Sequence, residues 1–243
     1  MFGLELVSAG LLHLATLDVK PSAGQIECNP TKPLFIDVIS AQDDVRYDFS
    51  KKTAELNHIG KGAYSPYGEG HLNIEARGLT VGQQSLNHNI EFYFERFKEA
   101  GLACLQIQKV KVTMNYTPTV YVSSKFAKGT PIFHKILEHE KEHVTITQRV
   151  LDKYQVILKE RLQDGLRHDF IAGPFLIDNI GQAQQELQEK VRQITAKVDR
   201  AMHKEAQKQH NLFDDSELAN SIKYNQAIAR KLKKILKIND YRE

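Results

Sequence analysis

The spacing of apolar residues changes character near residue 129. Before that point short runs dominate. Leu34-Phe35-Ile36-Asp37-Val38-Ile39 is rich in aromatic and β-branched residues and reads as a strand. Gly60, Gly62, Gly68 and Gly70 punctuate a loop around Tyr64-Ser65-Pro66-Tyr67. Ile90, Phe94 and Phe97 fall at helical spacing, which predicts a helix from about Leu86 to Ala100 with Gly101 as its stop. From Ala103 to Met114 apolar and polar residues alternate, as in a half-buried strand. Pro118 bounds that strand, and Val120-Tyr121-Val122 reads as a further short one.

After residue 129 the pattern is helical. Thr130 can cap a helix and Pro131 suits its first turn; the helix runs to about Gln163 and stops at Gly165. A loop around Gly173-Pro174 follows. Asp178 then caps a second long helix to about His210, and a third covers about Asp215 to Ile238. There is no internal repeat. The expected fold is α+β: a sheet-rich half over residues 25–128, with a mixed or antiparallel sheet and one helix, then a helical half over residues 129–243 of the same domain. Residues 1–24 stand apart as a candidate signal or leader segment, carried by Gly10-Leu11-Leu12-His13-Leu14-Ala15 and then Pro21-Ser22-Ala23-Gly24. Glu5, His13 and the lack of a positive start fit that reading poorly.

Composition narrows the function classes. With 33 basic and 30 acidic residues the net charge is +3, too slight to point to nucleic acid or a membrane surface. Lys231, Lys233, Lys234 and Lys237 make the tail basic, but Ile228, Leu232, Ile235 and Leu236 share helical spacing there, so an amphipathic packing helix explains it. No apolar run is long enough to span a membrane. The pattern specifies no oligomeric state. Two cysteines, Cys28 and Cys104, permit one disulfide and exclude a cysteine-built zinc site.

The chemistry concentrates in His139-Glu140-Lys141-Glu142-His143. Residues four apart lie on one helix face, so His139 and His143 can aim both imidazoles at one zinc ion. Glu140, displaced around the helix, can reach a water there as general base. Ile132, Ile136, His139, His143, Ile146, Val150 and Ile157 form one apolar stripe, so both histidines should turn inward. Buried imidazoles need partners. The competing explanation is a pair of hydrogen-bonded core histidines.

A catalytic zinc usually takes three protein ligands. If the helices ending near Gln163 and starting near Asp178 form a level hairpin, His139 and His143 lie opposite about Val198 to Met202. His203 is then the first choice of third ligand and Asp199 its neighbour. His210, Asp214 and Glu217 come into range if the loop shifts the register.

Gly101, Cys104, the strand Val110-Lys111-Val112-Thr113-Met114 and the run His139 to Ile146 resemble a bacterial family of uncharacterised domains regarded as secreted zinc-dependent proteases. Phe213-Asp214 resembles a later aromatic-Asp pair of that family. Ser123-Ser124-Lys125-Phe126 departs from its usual Pro-aromatic linker. Glu217-Leu218-Ala219-Asn220 stands where it often has Thr-x-His-Gly, which makes Glu217 the nearest replacement for that histidine. The resemblance implies a zincin-like fold, a secreted or envelope location and a Cys28–Cys104 disulfide. The expected function is that of a zinc metallopeptidase acting on a peptide or protein substrate, with Glu140 as base and Val120-Tyr121-Val122 as an edge for an extended peptide. The alternative is a non-catalytic zincin-like binding or scaffold protein with a structural zinc.

Overall fold

The computed structural model describes residues 26–62 and 76–239. The candidate leader and the tip of the Gly-rich loop lie outside them. One strand organises the sheet. β4 (Leu102–Val122) runs 21 residues and pairs on both sides. The whole of β3 (Gly78–Phe97) lies antiparallel along one side. The other side is shared end to end by β5 (Ile171–Leu176, antiparallel), β1 (Phe35–Gln42, parallel) and β2 (Arg46–Asp48, parallel). The sheet is therefore mixed and five-stranded.

β3 replaces the helix expected from Leu86 to Ala100. Ile90, Phe94 and Phe97 do sit at helical spacing, but Leu86, Ile90, Phe92 and Phe94 also fit a period of two. Pairing with a 21-residue strand decides between the two periods. Gly101 keeps a turning role, with φ 66° at the β3–β4 hairpin after a short 3-10 turn, Lys98–Ala100. Nor does Pro118 end β4. It falls where β1 has finished, at Tyr116, and β2 has not begun, at Thr119.

From Val110 to Val122 the even-numbered residues of β4 are buried and the odd ones half-exposed. The buried face carries α2 (Pro131–Leu166), whose first turn is capped by Thr130 Oγ1 accepting from Phe133 N at 3.3 Å. Leu151, Leu158, Leu162 and Leu166 of α2 join Leu105, Ile107 and Val112 in the main core. Burying each such leucine contributes about 1.5–3 kcal/mol. α1 (Thr53–Gly62) packs at the start of β3, Gly60 against Leu79.

The last element, α3 (Ile180–Asn239), is one continuous helix of 60 residues where two were expected. No glycine or proline follows Gly181, so nothing local breaks it at Asp215. The helical half also returns to the sheet, because residues 171–176 form β5 rather than a loop. Cys28 and Cys104 are disulfide-bonded, Cα atoms 5.6 Å apart, which ties the segment before β1 to the start of β4.

Candidate metal centre

α2 and α3 lie side by side, but their ends are not level. The chain leaving α2 first runs along β4 as β5, and only then enters α3. Gly165, near the end of α2, lies against Ile194, so α3 is already about four turns old where the two helices meet. Tyr154 Oη donates to Ala201 O at 3.2 Å and Lys153 Nζ lies 3.4 Å from Glu205, which continues the register. This shift overturns the level-hairpin placement of His203. That residue lies beside its own neighbour Asp199, Nδ1 at 2.9 Å from the carbonyl and 3.3 Å from Oδ1, and the Asp199 contact raises its pKa. Opposite His139 and His143 stand instead His210, Phe213, Asp214 and Glu217, spaced three and four apart on one face of α3.

His139, His143 and Asp214 bring their ligand atoms together in a group that could hold a metal ion. The two Nε2 atoms are 3.2 Å apart, and Asp214 Oδ1 is 3.2 Å from that of His143 and 3.5 Å from that of His139. A circle through these three atoms has a radius of about 1.9 Å. A single point about 2.0–2.1 Å from all three therefore exists just off their plane, the usual zinc–nitrogen and zinc–oxygen distance. Tetrahedral ligands at that distance stand ~3.3 Å apart, as these do. Both Asp214 carboxylate oxygens are shielded from solvent without a hydrogen-bond donor, an unmet demand that a cation would satisfy.

The outward nitrogens are already engaged. His139 Nδ1 is 2.8 Å from Glu217 Oε2, so Glu217 lies behind His139 rather than among the three. His143 Nδ1 is 2.9 Å from His210 Nδ1, and His210 Nε2 is 3.1 Å from Thr147 Oγ1. Burial, then the neighbouring His143, pushes the His210 pKa down to about 4. Phe213 packs on both imidazole rings, centroids 5.0 Å from His139 and 5.2 Å from His143.

Glu140 lies on the buried face of α2, with 3% of its surface exposed; His143 has 1%. The apolar stripe read from sequence therefore needs a small rotation. Ile132 is 40% exposed, and Phe133, Ile136, Glu140, Val144, Thr147 and Leu151 point inward. The Glu140 carboxylate reaches β3, where Thr80 Oγ1 is 2.8 Å from Oε2 and 2.9 Å from the Glu140 carbonyl. Burial raises its pKa to about 7 against the opposing pull of His143 and Thr80. Gly78 leaves room for it: a Cβ there would meet Glu140 Oε1 at 2.5 Å. Val120-Tyr121-Val122 is no edge, since β2 and β3 flank it. Among the described residues β3 pairs only with β4, so the free edge nearest Glu140 belongs to β3.

No protein-family model, curated sequence or solved structure matches the chain. The fold and the cluster define an α+β protein with a histidine–carboxylate group suited to a metal ion.

Proposed function

We propose that this protein is a zincin-like zinc-dependent metallopeptidase, with His139, His143 and Asp214 as ligands and Glu140 as general base. The observation that carries the reading is the spacing of the three ligand atoms, matched to tetrahedral zinc, with both Nδ1 atoms satisfied from behind. Two imidazoles and one carboxylate, with a fourth position left for water, are a donor set that catalytic zinc sites use. Zinc bound there would polarise a substrate carbonyl and acidify a water.

The chain's own residues supply the rest. Glu140, oriented by Thr80, accepts the proton of the attacking water and delivers it to the leaving amine. The edge of β3 beside Gly78 and Thr80 offers backbone groups to an extended peptide. The disulfide supports a secreted or envelope setting, where such bonds persist.

The near-complete burial of His143 and Glu140 favours a second reading, in which zinc only clamps α2 to α3. A Glu140→Gln variant separates the two. In a peptidase it retains one zinc per chain and loses about 100-fold or more in kcat/KM on a fluorogenic peptide library. Unchanged turnover in the variant, or no turnover by zinc-loaded wild type across the library, defeats the peptidase reading.

A further inference from the structure

A histidine ligand binds metal through one nitrogen while the other hands its proton to a partner, commonly a carboxylate or a carbonyl. Glu217 fills that role for His139. His143 has a different arrangement, because its Nδ1 faces another imidazole. An imidazole can donate or accept at either nitrogen, so it fixes its neighbour only if something else fixes it first.

Thr147 does this. Its hydroxyl has one proton and two lone pairs. The proton goes to the His143 carbonyl one turn back, Oγ1 to O 3.1 Å. Tyr116 is hydrogen-bonded to the same hydroxyl, and His210 Nε2 approaches it at 3.1 Å. With its proton committed, Thr147 accepts from His210 Nε2–H. His210 Nδ1 is then a lone pair, so His143 Nδ1 must carry the proton and donate to it. That leaves His143 Nε2 unprotonated, on the side facing His139 and Asp214.

We infer that His210, set by Thr147, is the positioning residue that holds His143 in the tautomer able to bind zinc. The inference rests on the zinc reading above but makes a claim of its own. One ligand is backed by a carboxylate and the other by a relay of neutral groups, and the relay governs affinity without touching the ion.

The test measures zinc dissociation constants by competition with a chromophoric chelator for wild type, His210→Phe, His210→Asn and Thr147→Val, each checked for folding by circular dichroism. Nitrogen-15 correlation spectra of zinc-loaded wild type report the His143 tautomer directly. His210→Phe keeps the ring shape and removes the acceptor, so affinity falls roughly 10- to 100-fold. His210→Asn places an amide oxygen near the position of Nδ1 and restores most of that loss; Thr147→Val falls between. The spectra show the His143 proton on Nδ1.

Wild-type affinity in a folded His210→Phe protein, or a His143 proton found on Nε2 in the zinc-loaded wild type, overturns the relay and leaves the zinc site standing. Wild type that binds no zinc overturns the proposed function and the relay together. If His210→Phe does not fold, the wild-type spectrum and the Asn variant still decide the matter.

Discussion

Replacing Asp214 by asparagine keeps the shape of the group at the centre of the cluster and removes its charge, so the effect on stability should depend on whether zinc is present. Without zinc, the Asp214 carboxylate is an acceptor with no hydrogen-bond donor. Oδ1 is 3.2 Å and 3.5 Å from the two Nε2 atoms, and neither oxygen has solvent or a hydrogen bond. An unsatisfied acceptor of this kind costs about 1–3 kcal/mol. The asparagine NH2 can donate to an imidazole lone pair at the same distance. Asp214→Asn should therefore match the zinc-free wild type or exceed it by about 1 kcal/mol, up to roughly 4 °C in Tm for a chain of this size.

With zinc the order reverses. At free zinc 100 times its own dissociation constant the wild type gains about 2.7 kcal/mol, or roughly 5–10 °C. A variant with hundredfold weaker affinity gains only about 0.4 kcal/mol in the same buffer. The assay is thermal unfolding in zinc-buffered solution with a chelator-treated control. An Asp214→Asn protein with the full wild-type zinc shift would show that Asp214 is no ligand, and the geometric argument for a tetrahedral site would fail with it. A zinc-free variant several kcal/mol below wild type would refute the claim that its oxygens lack partners.

Gly78→Ala places a Cβ 2.5 Å from Glu140 Oε1 and 2.7 Å from Ile136 Cγ2; urea unfolding should show a loss of about 1–3 kcal/mol, and no loss would mean the Glu140 pocket is looser than described. Reduction of Cys28–Cys104, or a Cys28→Ser/Cys104→Ser variant, opens a loop spanning 76 positions and should lower stability by ~4 kcal/mol in chain-entropy terms; an unchanged urea midpoint with and without reductant contradicts this. His88 titrates below the ordinary histidine value because it is partly buried, with Arg192 nearby and Thr195 Oγ1 at 2.9 Å from Nε2. The unfolded chain therefore binds that proton first, so the stability linked to His88 is intact above pH ~6.5 and is lost as pH falls below it towards the lowered folded-state pKa. In His88→Gln the decline in Tm between pH 7.5 and 5.5 should be shallower than in wild type, and parallel curves would remove His88 from the account.

The helix that carries the motif was legible because its signals are local. Thr130 and Pro131 mark its start, and the His139–His143 spacing needs only the geometry of one turn. β3 was not legible from its own residues, because Leu86 to Phe97 satisfies two periods and the choice lies in a partner strand that follows it. The inward turn of Glu140 was legible in principle. Phe133, Ile136, Glu140, Val144, Thr147 and Leu151 are spaced three and four apart as well as the stripe through Ile132 is, and the intervening charge hid the pattern.

The residue that completes the group with His139 and His143 shows most clearly what local spacing lacks. Two antiparallel helices share a register only through the path of the chain between them, and residues 167–179 spend that path on a strand. The resulting four-turn offset moves the partner of His139 from the neighbourhood of His203 to Asp214 and Glu217. A signal for this pairing did exist on α3 itself. His210, Phe213, Asp214 and Glu217 place two kinds of metal-competent group and an aromatic on one helical face, the complement of the face that His139 and His143 present. Matching faces by their chemistry is therefore a stronger guide to a site between helices than counting residues from a loop, because the chemistry must be satisfied wherever the loop happens to set the register.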